Sequence, residues 1–571
     1  MQSHPFSNKK ALLLIFFAAI LIYLPFVNSP LFWDDEQFIY SNQYVRQFAL
    51  KEIFSQSTTS GAGDSSSYYR PLTSLSFAID YQVWDLNPIG YHLTNLLLHA
   101  GAGMILFLVL KQFKIKQKPA LLIALLFVIH PIQTETVSYA NSRGDSLFTL
   151  FGLMGLWCLL KLLKTQQQKI KELDIQIGSF KMQLSSHSLI FGATGFYLLS
   201  ILSKEIGLAI MGLYFISVIF WWLRHHNNKD LRPQLTINTF SLVRKHASSI
   251  VTLALTVLVA ISYLWIRSGP LKFQETINPY PPGHPYGDSL IVRLATFFKV
   301  IFIYLRLLIA PLQLHMERTT QLVLTPFSVW TLGIFVLGIV IIFLGWKEYQ
   351  QYHQSLIWLG SGWFIAMLIP VSGIIPINDI LYEHWLYLPS VGFWITVYGL
   401  VRLITKSFPK LSQLGFKYPI SAVLLVFIIL SWRQNYLWAD PVRFYRYTLQ
   451  FNQTARVYNN LAMTYADRGQ EQLALAEYQK AIELDNSYPE IHNNLANTYA
   501  YLKEWDKAKA SYKQALELDP SLIQSHLGLI KVFLETKEPE LALGQVQMMK
   551  ERGLPEEIAK QLELEIKTAI K

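Results

Sequence analysis

The sequence predicts an all-α protein, a polytopic helical membrane bundle followed by a helical repeat array. Three observations carry this reading. Of 571 residues, 52% are hydrophobic and only 15% are charged. Apolar runs long enough to cross a bilayer recur from Ala11 to Trp432. Beyond about Ala439 the chain turns polar, rich in Glu, Lys, Ala and Tyr, and a 34-residue pattern repeats.

Charge orients the spans. Basic residues collect in cytoplasmic loops, so Lys9 and Lys10 place the N-terminus inside and the loop of residues 28–88 outside. The first apolar stretch, Ala11 to Val27, is longer than a signal core and lacks a small-x-small site, so it reads as an uncut helix. A span over about 90–110 returns to Lys111, Lys114, Lys116 and Lys118. The next runs out to His130-Pro131, and one starting near Ser146 comes back to Lys161. A tight pair, about 188–203 and 206–223, meets the outer face at Ser203-Lys204-Glu205 and returns to Arg224, Lys229, Arg232 and Arg244. A seventh span ends outside near Arg267. The segment of about 291–311 carries Arg293, Lys299 and Arg306; if it spanned, the basic loops around Lys347 and Lys406 would fall outside. It is therefore expected to be re-entrant or interfacial within an outer loop of 268–325. Spans near 326–345, 355–371, 385–404 and 418–433 complete about eleven. The formal charge of +11 follows from this loop bias and does not call for nucleic acid. The single cysteine, Cys158, lies in an apolar run, reads as a packing residue and excludes an internal disulfide.

Residues 439–571 read as a tetratricopeptide solenoid, with repeats near 455–488, 489–522 and 523–556. Asn-Asn-Leu-Ala at 459–462 recurs at 493–496, and Tyr478 aligns with Tyr512. Asn460 and Asn494 share one register on the first helix of their repeats. They either contact an extended acceptor peptide through their amides or bridge helices. Gly528 at the third repeat shortens any such ladder.

The remaining polar motifs all map to the expected outer face. They are Asp34-Asp35-Glu36 with Asn42, Tyr69-Arg70-Pro71-Leu72, Asn87-Pro88 with His92, Asn95 and His99, and His130-Pro131 through Glu135 to Arg143-Gly144-Asp145. Lys204-Glu205 and Glu383-His384 through Tyr387 and Ser390 complete the set. Each has a plainer reading: His99 as a packing histidine, His130 as a span terminator, Arg143 as a snorkelling cation, Lys204-Glu205 as a self-neutralised turn. Their convergence suits glycosyl transfer from a lipid-phosphate donor. A carboxylate can take the acceptor hydroxyl's proton, and Arg, Lys, His or Tyr can hold the leaving phosphate. No metal-ligand cluster is evident, though Asp34-Asp35-Glu36 could take a divalent ion. No Gly-rich phosphate loop, nucleophile elbow or paired cysteine site occurs.

These motifs, in this order and joined to such repeats, resemble the transmembrane and tetratricopeptide repeat-containing O-mannosyltransferases, over nearly the whole chain. The resemblance implies the C-type glycosyltransferase fold, a polyprenyl- or dolichyl-phosphate sugar donor, inversion at the anomeric carbon, and action on the extracytoplasmic side. It maps the catalytic acidic motif onto Asp34, the expected general base, and Asp35, its helper, with the two able to exchange roles. Arg70, His92, His130, Glu135, Arg143, Lys204, Glu205, Glu383, His384 and Tyr387 would lie around the donor. Animal members carry arginine where this chain has His384, which loosens that residue's phosphate role. The implied function is transfer of a hexose, with mannose the first candidate, to a protein Ser/Thr hydroxyl, in a bacterial inner membrane. A glycan acceptor, or a non-enzymatic scaffold recruiting partners through the repeats, are the alternatives.

Overall fold

The computed structural model describes residues 7–63, 66–168, 172–177, 180–225, 239–269, 271, 279–377, 379–408, 417–554 and 556–570. Lys229 and Arg232, counted above among the loop cations, lie outside them. The chain divides into two compact units, residues 1–439 and 440–571.

Among the described residues of the first unit, eight helices are long and apolar enough to cross a membrane: Asn8–Phe26, Pro88–Gln112, Ala140–Gln167, Ser186–Ser203, Glu205–Arg224, Ala247–Ser268, Val329–Tyr352 and Tyr418–Trp438. The bent pair Gln117–Ile129 and Pro131–Ser138, meeting at 50°, makes a ninth. Leu356–Val371 is a shorter apolar helix, and Pro389–Ser407 stands where a further span was expected. Local chemistry starts many of these helices. Asn87 accepts from Ile89 N, with Pro88 opening the first turn, and Ser185, Ser289, Ser328 and Ser355 cap helices in the same manner. Small residues then set the packing. A Cβ on Gly392 would sit 2.5 Å from Gly360 O, so Leu356–Leu368 and Pro389–Ser407 meet backbone to backbone.

The fold departs from all-α at one place. Residues Glu172–Ile177 and Phe180–Ser185 pair as an antiparallel hairpin with Ile177 opposite Phe180. Leu173, Ile175 and Ile177, then Phe180, Met182 and Leu184, alternate with polar residues, which is strand rather than helix periodicity.

Helix Leu290–Ile309 was expected to be re-entrant or interfacial. Arg293, in its first turn, donates to Gly373 O, and Leu308, near its end, accepts from His130 Nε2. Both partners lie at the same end of the bundle. Four turns at that end meet: Pro131–Gln133 packs on His384–Leu386, and Glu205–Ala209 packs on Ile369–Val371. At the opposite end Arg402 pairs with the fully buried Glu348 at 2.5 Å, and Tyr349 reaches Leu223 O.

The second unit stacks helix pairs: Ala455–Asp467 with Glu471–Leu484, Pro489–Tyr501 with Trp505–Leu518, and Ile523–Glu535 with Pro539–Glu551. The buried residues Ala462, Ala474, Tyr478, Ala481, Ala496, Ala508, Tyr512 and Ala515 occupy equivalent repeat positions. Small alanines bring the helices of a pair together and the tyrosines fill the space between neighbouring pairs.

Candidate active site

One short segment organises the polar motifs. Between Glu135 and Asp145 successive residues hold different parts of the bundle. Glu135 accepts from His384 through both N (3.1 Å) and Nδ1 (2.6 Å). Tyr139 Oη accepts from Asp34 N at 3.0 Å, and Asn141 N donates to Asp35 Oδ1 at 2.9 Å. Arg143 pairs with Asp80, and Asp145 with Lys204 at 2.7 Å. Asn141 and Asp145 are four residues apart, so one short segment bonds both the acidic turn and Lys204.

The two adjacent aspartates differ in surroundings. Asp35 is 1% exposed, and its two oxygens accept from Asn141 N and Phe32 N. Burial, with the neighbouring Asp34 charge adding, pushes its carboxyl up to about 8. Asp34 is half-buried. Trp33, just before it, adopts φ 63°, a conformation a bulky residue holds only when its surroundings impose it. Phe32, Tyr139 and Trp438 pack ring on ring behind the turn, with centroids 5.6–6.5 Å apart.

The cations fall into two groups. Arg143 is fully buried and its guanidinium is engaged throughout. Nε donates to Asn95 Oδ1 at 2.7 Å, Nη1 to Ser76 Oγ, and Nη2 to Tyr91 O, while Nη2 pairs with Asp80 and the plane lies 4.5 Å over Phe77. It ties three helices together and reaches a donor only through what it positions. His92 and His130 are likewise occupied inside the protein. His92 Nε2 meets Ser29 O at 3.0 Å; His130 Nε2 donates to Leu308 O while Nδ1 accepts from Ile132 N, capping the turn after its own helix. His99 donates from Nε2 to Val128 O, so its Nδ1 accepts from Tyr387 Oη at 2.6 Å. Tyr387 is therefore the partner of a packing histidine.

The second group keeps donors in reserve. Arg70 spends Nε on Glu205 (3.0 Å), and neither of its terminal nitrogens bonds a described residue. Lys204 Nζ holds only Asp145. His384 has Nδ1 on Glu135, and its Nε2 bonds no described residue. Burial, reinforced by Lys204, depresses the His384 imidazole to about 3, so it is neutral. These groups are neighbours, since His384 feels the charges of Lys204, Asp145 and Arg70. Gly144 permits the arrangement: a Cβ there would press within 3.3 Å of Ser203 O.

Arg318 is a site residue that sequence reasoning missed. It donates Nη2 and Nε to Glu383 Oε1 at 2.7 and 3.2 Å. Only its position within the expected outer loop of 268–325 could have hinted at it. No group of three or more His, Cys, Asp or Glu side chains among the described residues could hold a metal ion. Glu36 is exposed and accepts from Ser41 Oγ.

In the repeats the paired asparagines form a relay. Ser525 Oγ donates to Asn493 Oδ1, Asn493 to Asn494, Asn494 to Asn459 and Asn459 to Asn460, with steps of 2.9–3.3 Å. Asn494 thus bridges repeats, while Asn460 ends the relay with its own amide N–H groups unspent. Gly528 is where Tyr512 packs, since a Cβ there would lie 2.3 Å from the ring.

Comparison with known proteins agrees with this architecture. Residues 462–502 and 489–522 match the tetratricopeptide repeat. A Caenorhabditis elegans protein named as a protein O-mannosyl-transferase is 25% identical over 84% of this chain and 63% of its own length. Human and Drosophila melanogaster proteins of the same name are 24% and 26% identical, over 81% and 84% of this chain and 64% and 56% of theirs. The chain therefore spans less than two thirds of these relatives. Among solved structures, an Archaeoglobus fulgidus oligosaccharyltransferase tethered to an acceptor peptide aligns over 84% of this chain and 59% of its own, at 14% identity and TM-score 0.39. ArnT of Cupriavidus metallidurans bound to undecaprenyl phosphate aligns over 85% and 80%, at 12% identity and TM-score 0.36. By sequence this chain, a multi-pass helical membrane unit followed by tetratricopeptide repeats, is a relative of the protein O-mannosyl-transferases.

Proposed function

We propose that the protein transfers a hexose, mannose first among candidates, from a polyprenyl-phosphate sugar to a protein Ser/Thr hydroxyl on the extracytoplasmic face. The observation that supports this reading is the segment from Glu135 to Asp145, whose Tyr139 and Asn141 bond the Asp34-Asp35 turn while its Glu135 bonds His384 and its Asp145 bonds Lys204. In the reaction the acceptor oxygen attacks the anomeric carbon and its proton passes to Asp34. The carbon–oxygen bond to phosphate breaks, and its electron pair leaves with the lipid phosphate. That phosphate gains negative charge as it departs, which Lys204 and Arg70 stabilise. His384, neutral with Nε2 open, becomes a second donor if the arriving phosphate draws a proton onto it. Asp35, buried and bonded at both oxygens, shapes the turn rather than taking the proton. The basic loops, at the end of the bundle away from these motifs, support an extracytoplasmic site. Asn460 offers its amide to an acceptor backbone.

The test uses purified full chain, a polyprenyl-phosphate mannose and a Ser/Thr peptide. Parent protein should release polyprenyl phosphate and mannosylate the peptide, and Asp34→Asn should not. Equal transfer by both would refute the reading. Impermeant labelling of a cysteine placed at Glu36 should report the extracytoplasmic side; exclusive labelling from the cytoplasm would refute the sidedness.

A further inference from the structure

Two buried arginines at this end of the bundle invite comparison. Arg143 has every guanidinium nitrogen engaged and no exposure. Arg318 is only 9% exposed, yet it is held by one edge. Its Nη2 donates to Glu383 Oε1 (2.7 Å) and Gln313 O (2.6 Å), and its Nε also goes to Glu383 Oε1. His315 N donates to the same carboxylate oxygen at 3.0 Å. Nη1 bonds no described residue, and it is not among the polar atoms sealed from solvent. A guanidinium that only braced the fold would have its nitrogens engaged by protein, as those of Arg143 are, whereas Nη1 of Arg318 keeps two N–H groups open.

The surroundings say what those groups face. Glu383 precedes His384 in sequence. Glu135 bonds His384 directly and feels the charges of Lys204 and Arg318. The stretch that carries Arg318, residues 310–328, follows the helix laid across this end of the bundle, and Tyr304 of that helix bonds Tyr382 O. The edge clamped by Glu383 fixes the plane of the guanidinium and leaves its other nitrogen as a rigid, permanently charged donor. Such a group fits a phosphate oxygen.

We propose that Arg318 binds the phosphate of the lipid-linked donor through Nη1, with Glu383 as its positioning residue. This rests on the donor class given under the proposed function. Removing Arg318 alone would strand Glu383 as an unpaired buried charge. The informative protein is therefore the double variant Arg318→Gln with Glu383→Gln, in the full chain in detergent. Undecaprenyl phosphate and uncharged undecaprenol are the two probes, read by direct binding, and thermal unfolding monitors the fold. The parent should bind undecaprenyl phosphate more tightly than undecaprenol. The double variant should unfold near the parent's temperature and lose about tenfold to a hundredfold in undecaprenyl phosphate affinity, as loss of a charged hydrogen bond implies. Its undecaprenol binding should not change. Glu383→Gln alone, which keeps Arg318 charged but loosens its clamp, should fall between the parent and the double variant in phosphate affinity. A double variant that binds undecaprenyl phosphate like the parent overturns the assignment and leaves the donor class standing. A parent with no preference between the probes overturns both.

Discussion

Replacing each of the adjacent aspartates by asparagine separates chemistry from scaffold. Asp35 accepts backbone N–H groups at both oxygens, from Phe32 at 3.1 Å and Asn141 at 2.9 Å, with 1% exposure. An asparagine keeps one acceptor and turns a donor against the other N–H. The orphaned N–H costs about 1–3 kcal/mol. Because Asn141 belongs to the segment that also holds Asp34 and His384, the loss spreads to the site. Asp34 is half-buried, and asparagine there preserves shape while removing the base. The expected loss is about a hundredfold to ten-thousandfold in kcat, or roughly 3–5 kcal/mol of barrier. The assay is paired: kcat for release of polyprenyl phosphate, and the temperature at which the purified chain loses its fold. Asp34→Asn should lose rate and keep its unfolding temperature; Asp35→Asn should unfold several degrees lower. The reverse order, an unstable Asp34→Asn and a stable, inactive Asp35→Asn, would refute the assignment. The pH response adds a check. With its folded value raised to about 8 from an ordinary 3.8, Asp35 binds more proton in the folded state across that window. Its contribution to stability is thus complete below about pH 4 and lost as pH rises through about 8. Asp35→Asn should be the variant that flattens this decline.

Three further outcomes follow from the contacts. Arg143→Met strands Asp80 and should destabilise the membrane unit by about 3–5 kcal/mol, and pairing it with Asp80→Leu should restore much of the thermal stability; unchanged melting in the single variant would sink the structural role. Glu348→Gln weakens the 2.5 Å pair with Arg402 that anchors Val329–Tyr352, a helix only 6% buried. It should lower melting temperature while leaving the donor KM unchanged. Asn494→Ala breaks the inter-repeat relay and should cost the repeats about 1–2 kcal/mol, whereas Asn460→Ala should keep stability and raise the acceptor peptide's KM. Equal effects of the two on stability would show that neither amide is reserved for a ligand.

Much of the fold was legible because the signals are local. Apolar run length and the 34-residue period need only neighbours in sequence. The hairpin at 172–185 was not read from the sequence, although Leu173, Ile175 and Ile177 alternate with polar residues there. The site was legible as a set of residue types at one face. It was not legible as a set of roles, since Arg143 and Arg318 look alike in sequence and differ only in which nitrogens their surroundings leave open.

The chain by itself determined the class of molecule: hydrophobic length, basic loop bias and repeat period follow from transfer energies and helix geometry that act residue by residue. Tertiary structure decided the division of labour. Whether Asp34 or Asp35 is sealed, whether Asn494 bridges or binds, and which cations remain unspent depend on hydrogen-bond partners dozens to hundreds of residues away. A buried polar group must be paired by whatever the fold brings to it, and local sequence carries no record of that partner.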